Sequence, residues 1–88
     1  MDHMHTKVLW AQHTELPAGW QNGKTKHDFY HLIAVYNGES TYYCDEMPIE
    51  VTSGHMLLIP PNMVHECPKE SHTLMINTEI KFELLHPY

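Results

Sequence analysis

The sequence of 88 residues contains no arginine, and its five lysines are scattered along it. Surfaces that hold nucleic acid neutralise phosphates with clustered Lys and Arg. With eleven acidic residues and a net charge of −6, direct DNA or RNA binding by this chain is not expected. Long apolar runs are missing too. Nothing approaches the ~18–20 residues that a membrane-spanning helix needs, and Met1 to Lys7 lacks a signal-peptide pattern. The expectation is a soluble, cytoplasmic protein with no membrane partner. Cysteine is scarce: Cys44 and Cys67 make no disulfide framework, and both are expected as free thiols. Apolar residues nowhere recur at helical spacing over an extended window, so few or no helices are expected. There is no nucleophile elbow, P-loop, pair of catalytic carboxylates or zinc finger.

What the sequence does contain is short β-like runs broken by closely spaced turn signals. Val8-Leu9-Trp10 reads as a first strand, and Glu15 to Lys26 as irregular with room for a short extended piece. Phe29 to Tyr36, aromatic and β-branched, is the strongest strand. Asn37-Gly38 follows it and predicts a type I′ hairpin turn into Ser40 to Cys44. Asp45-Glu46 is the next turn signal. Met47 to Val51 follows as a short strand, with Pro48 marking a sheet edge or a strand start. After Thr52-Ser53-Gly54 come a buried strand over His55 to Ile59, a brief one over Val64 to Cys67, and a last extended stretch from Thr73 to Leu85. The pattern predicts one all-β domain over residues 1–88, a small antiparallel barrel or jelly roll.

Histidine is the compositional outlier, at nine of 88 residues. Two spacings organise the histidines. The first is Gly19, five residues, Thr25-Lys26-His27, three residues, His31, six residues, Gly38. The second is Gly54, five residues, Pro60-Pro61-Asn62, two residues, His65. Together they resemble the two motifs of the cupin superfamily, in which four motif side chains hold one divalent cation inside a barrel. Carried over by position, the resemblance retains His27 and His65, offers His31 in place of a glutamate, and puts Thr25 where a histidine would stand. Three neutral imidazoles with an open position suit Zn, Ni, Fe, Mn or Cu. The competing reading is a metal-free pocket for an organic ligand. His27 and His31 share strand parity, yet four residues of straight strand span about 13 Å. The chain must therefore bend between them.

A narrower resemblance runs from about residue 16 to residue 84. His-Asp-Phe-Tyr-His-Leu-Ile at 27–33, Tyr-Asn-Gly at 36–38, Gly-His-Met-Leu-Leu-Ile-Pro-Pro at 54–61 and Ile-Asn-Thr-Glu-Ile-Lys-Phe-Glu-Leu at 76–84 resemble the N-terminal sensor domain of AraC-type transcriptional regulators. That resemblance implies a barrel that binds a small-molecule effector, such as a sugar or small organic acid, and forms a homodimer. A separate helix-turn-helix domain would bind DNA, so the chain reads as part of a longer regulator. The alternative is a stand-alone cupin enzyme, an oxygenase or isomerase, using a histidine-held divalent metal.

The expected pocket consists of His27, Phe29, His31, Ile33 and His65, with His27, His31 and His65 as metal ligands. Val35 shares their parity and is expected inside as well. Leu58 and Ile59 cannot both face inward. Trp20, Tyr30, Tyr36, Tyr42 and Tyr43 are available for ligand stacking, although packing is the plainer role for each. Met1-Asp2-His3 has the form of an N-terminal copper or nickel chelate, but an unstructured start explains it as well. His55 and His72 read as surface residues. Cys67 reads as a buried thiol. Glu50, Glu66 and Glu79 are each able to complete a metal shell, and nothing in the sequence selects among them.

Overall fold

A computed structural model describes residues 5–68 and 73–85. They form eight strands: β1 (His5–Leu16), β2 (Asn22–Thr25), β3 (Tyr30–Asn37), β4 (Glu39–Cys44), β5 (Met47–Thr52), β6 (Met56–Ile59), β7 (His65–Cys67) and β8 (Met75–Leu85). No helix occurs among the described residues, and so none is long and apolar enough to cross a membrane. The strands make two four-stranded sheets, in the orders β1-β8-β3-β6 and β2-β7-β4-β5. Every pairing is antiparallel. The fold is the all-β jelly-roll type that the strand pattern predicts.

Alternation along the strands builds the core. In β3, His31, Ile33 and Val35 are buried while the residues between them are less so. The same alternation buries Tyr42 and Cys44 in β4 and Leu57 and Ile59 in β6. With Val51, Cys67 and Met75 they form one cluster between the two sheets. Each such aliphatic side chain contributes about 1.5–3 kcal/mol on burial. Of the ambiguous pair, Ile59 faces inward and Leu58 outward, at 2% and 50% exposure. Pro48 lies on β5, an edge strand, where its missing N–H costs no ladder bond. Both cysteines are free and buried. Burial pushes both thiols up, Asp45 adding to this at Cys44 and the Ser40 hydrogen bond opposing it at Cys67.

The turn at Asn37-Gly38 departs from expectation. It does not close a hairpin, because β3 and β4 belong to different sheets. Both flanks of β3 are already occupied, by β6 and β8, so the chain crosses to the other sheet instead. Only Gly38 has positive φ there, at 94°. The two-residue hairpin turn with both φ positive falls at Asp45-Glu46 (49° and 68°), between paired Cys44 and Met47. The first strand is also longer than Val8-Leu9-Trp10. Its full length pairs with β8, with one irregularity between Val8 and Trp10 that leaves Leu9 without a partner. The region read as irregular, Glu15 to Lys26, contains the end of β1, a turn in which the Trp20 N–H donates to the Pro17 carbonyl (3.0 Å), and β2.

Gly38 has two reasons to be glycine. Its backbone is left-handed, and a Cβ there would overlap the Leu74 carbonyl oxygen. Gly54 shares the left-handed backbone, at φ 90°, but faces open space. Gly54→Ala should therefore cost about 1–2 kcal/mol, the strain of one left-handed residue. Gly38→Ala should cost clearly more, on the order of 3 kcal/mol, by adding a backbone overlap. Urea denaturation of the two variants checks this; equal losses would refute the packing argument.

Candidate functional site

Three imidazoles meet at one end of the space between the sheets. His31 enters from the start of β3 and His65 from the start of β7. His27 lies just before a bend at residues 28–29, and that bend supplies the change of direction that a straight strand forbids. A second turn holds it in place. Asn62, left-handed at φ 65°, donates its backbone N–H to the His27 carbonyl at 2.6 Å. The ring centroids stand 5.2 Å (His27–His65), 6.3 Å (His27–His31) and 6.4 Å (His31–His65) apart. One nitrogen from each ring lies within 4.8 Å of the others, so the three can hold a metal ion. Tetrahedral zinc needs nitrogens about 3.3 Å apart at its usual bond length, inside the 4.8 Å within which these atoms lie.

The partners of these rings decide which nitrogens are available. His31 Nε2 lies 2.8 Å from Glu79 Oε1, and Thr14 Oγ1 donates to Glu79 Oε2 at 2.9 Å. Burial pushes the Glu79 carboxyl up. The hydrogen bonds from His31 and Thr14 outweigh it, helped by Lys81 and by the charge His31 carries when protonated. The net displacement is downward, and Glu79 stays ionised. An ionised carboxylate only accepts, so Nε2 of His31 carries a proton, and in the neutral ring Nδ1 keeps its lone pair. His65 Nδ1 faces the Met63 carbonyl at 3.0 Å and must donate to it, leaving the lone pair on Nε2. These two lone-pair nitrogens, His31 Nδ1 and His65 Nε2, are buried without a partner among the described residues. Burial lowers the His27 pKa, and the charges of His65, Lys81 and His31 lower it further against the pull of Asp28. Burial and the neighbouring cations thus favour the neutral form of His27, the form that can ligate a metal. A carboxylate behind His31 and a backbone carbonyl behind His65 match the usual outer shell of a metal site.

The remaining expected residues separate by place. Phe29 stacks on His27 (4.7 Å, 6°) but is half-buried, at the edge of the cluster rather than inside it. Ile33 is buried in the core, opposite Glu79. Thr25 lies opposite His65 across β2 and β7. Of the three candidate carboxylates only Glu79 reaches the histidines; Glu50 is exposed on β5, and Glu66 has the opposite strand parity to His65. His55 is exposed, and its Nδ1 accepts the Thr52 N–H at 3.1 Å. Tyr30 stacks on Phe82, Tyr36 is exposed, Tyr42 is buried, Tyr43 is half-buried, and Trp20 packs against the core. Met1-Asp2-His3 and His72 lie outside the described residues. Thr14 was invisible as a site residue from the sequence, being 65 positions from the carboxylate it serves. Asn77 was missed as well. It is fully buried, and neither polar atom of its amide has a partner among the described residues.

Glu79 links this geometry to pH. Its folded-state value lies below the ordinary 4.5, so the stability it contributes is fully present above 4.5 and is lost as pH falls through the folded value. In metal-stripped protein, the stability advantage of wild type over Glu79→Gln should stay constant near neutral pH. It should then shrink steadily below 4.5. Urea denaturation across a pH series reads this; an advantage that grew on acidification would contradict the assigned proton positions.

The AraC-like ligand binding domain model matches residues 14–78. A search of curated proteins finds no match. Among solved structures, a conserved Streptococcus pyogenes protein of unknown function superposes with a TM-score of 0.75 at 13% identity, covering 92% of this chain and 75% of that one. A predicted oxalate decarboxylase from Thermotoga maritima gives 0.73 at 16% identity, covering 90% and 69%. A cupin superfamily protein from Desulfitobacterium hafniense gives 0.71 at 13%, covering 92% and 78%. At such identities these neighbours speak for the fold, a cupin-like one. The family match covers most of the chain and both histidine spacings, and on that ground the chain belongs to the AraC-like ligand-binding domain family.

Proposed function

We propose that this chain is the effector-sensing domain of an AraC-type transcriptional regulator, with its ligand site at His27, His31 and His65. In this reading the domain forms a homodimer in the cytoplasm, and a separate domain carries DNA binding. The lack of arginine supports that division of labour. The homodimer is supported by the exposure of Val8 and Leu9 on the edge strand β1, which offers apolar contact to a second copy.

One observation carries the site. Two buried imidazoles each spend one nitrogen on a fixed outer partner and keep the other as an unpartnered lone pair within a three-histidine cluster. A buried acceptor left unmade costs about 1–3 kcal/mol. A group of atoms that gathers such costs in one place is arranged for an occupant. His27, His31 and His65 would hold a divalent ion (Zn, Ni, Fe, Mn or Cu), which supplies an electrophilic anchor for a ligand oxygen. Glu79 and the Met63 carbonyl keep the rings in the right tautomer, Thr14 keeps the carboxylate in place, and Phe29 supports the His27 ring.

Titration of metal-stripped protein with Zn(II) or Ni(II), read by calorimetry and melting temperature, tests the reading. Free metal at about 100 times its dissociation constant should stabilise the fold by about 2.7 kcal/mol. His27→Ala and His65→Ala should each abolish that gain. Glu79→Gln should weaken binding by about 10–100-fold while the three ligands remain. No binding by the wild type, or undiminished binding by the alanine variants, would remove the metal from the proposal.

A further inference from the structure

Lys81 belongs to the same inner face as the histidines. It stands directly opposite His31 across β3 and β8, and directly opposite Trp10 across β1 and β8. Opposite residues in an antiparallel pair share a face. The Lys81 ammonium sits over the Trp10 ring at 4.6 Å and within 5.9 Å of the Phe29 ring centre. Phe29 in turn stacks on His27. Lys81 is close enough to act on the charge state of both His27 and Glu79. Among the described residues no carboxylate lies within salt-bridge distance of it; the one ion pair at the site joins Glu79 to His31.

This is an unusual way to hold a lysine. Aromatic faces attract an ammonium and fix its position without cancelling its charge. An acidic partner would do both. The net charge of the chain is −6, so carboxylates are plentiful, yet none closes on this cation. Asp28, next to His27 in sequence, is exposed, where water and salt screen it. Glu79 has both oxygens engaged by His31 and Thr14. The site therefore presents a positioned cation beside three imidazoles, while the ionised carboxylate there, Glu79, is turned onto His31 and Thr14; a divalent ion on the imidazoles would make the site more positive still.

We infer that Lys81 selects an anionic ligand, and that the effector is a small carboxylate rather than a neutral sugar. The inference rests on the ligand site proposed above but not on a metal occupying it. A single ammonium is suited to one carboxylate. A phosphate is usually met by several donors, often a bidentate arginine or a run of backbone amides at a helix start. This chain has no arginine, and its described residues include no helix. Lys81 acts on the ligand directly, whereas Trp10 and Phe29 are positioning residues that act through it.

The test is calorimetric titration of lactate and its uncharged isostere lactamide, into zinc-loaded and metal-stripped protein, for wild type, Lys81→Met and Lys81→Arg. Lys81→Met keeps an unbranched stem without the charge, and melting temperatures report whether each variant is folded. Wild type should bind lactate at least about tenfold more tightly than lactamide. Lys81→Met should lose about tenfold for lactate and little for lactamide, without weaker zinc binding. Lys81→Arg should restore most of the lactate affinity. Equal binding of lactate and lactamide by wild type, no lactate binding in either metal state, or full lactate affinity in folded Lys81→Met would each overturn the inference. If Lys81→Met does not fold, the comparison of lactate with lactamide in wild type, and the Lys81→Arg result, decide it. Loss of zinc binding with Lys81-dependent lactate binding intact would remove the metal and leave the carboxylate site. The reverse result would leave the metal and remove the carboxylate preference.

Discussion

The hydrogen bond between His31 and Glu79 is the interaction on which the site depends. It joins β3 to β8 at the inner face of one sheet and assigns the proton on an imidazole that is otherwise ambiguous. Without it, His31 would be free to place its N–H toward the cluster, and the lone pair needed there would be lost. The carboxylate is itself oriented, because Thr14 occupies its second oxygen. A chain of three side chains from β1, β8 and β3 thus prepares one nitrogen. His65 achieves the same result with less, using a carbonyl two residues away. One tautomer is set by the packing of strands far apart in sequence, the other by a local turn.

The division of the chain into two sheets explains why the site lies where it does. β3 and β7 belong to opposite sheets, and each carries a histidine within its first two residues, at the same end of the fold. The bend at 28–29 and the left-handed Asn62 then bring His27 between them. Below this level the interior is mainly apolar, filled by Ile33, Ile59, Met75 and their neighbours, with Ser40 and Asn77 as buried polar residues. The polar cluster is therefore seated on a packed floor. Its geometry is set by strand ends on a rigid frame, an arrangement that holds ligating groups more closely than a loop would.

What could be read in the sequence was what short spacings encode. Two runs of fixed spacing brought His27, His31 and His65 forward, and strand parity placed Ile33, Val35 and His31 on a common face. The bend between His27 and His31 followed from strand rise alone. What could not be read was pairing between distant strands. Glu50, Glu66 and Glu79 are equivalent until the β3–β8 register sets Glu79 beside His31. Lys81 joins the site by the same register, and Thr14 by that of β1 and β8. The Asn37-Gly38 turn failed for a related reason: a dipeptide reports the backbone angles it tolerates, not which strands remain free to pair. Asp45-Glu46, with weaker turn chemistry, forms the hairpin because β4 and β5 end up adjacent.

The unpaired Leu9 in β1 has a consequence far from its own position. Side chains in a strand alternate between faces, so one supernumerary residue reverses the phase of everything after it. Beyond Leu9, Trp10 and Thr14 point inward, opposite Lys81 and Asn77. Had the pairing run on without interruption, both would face the outside. The cation would lose its aromatic seat, and the carboxylate behind His31 would lose its hydroxyl donor. A one-residue fault near the edge of the sheet therefore acts as a frame shift in space, and it determines the chemistry at a cluster of histidines that Leu9 does not belong to.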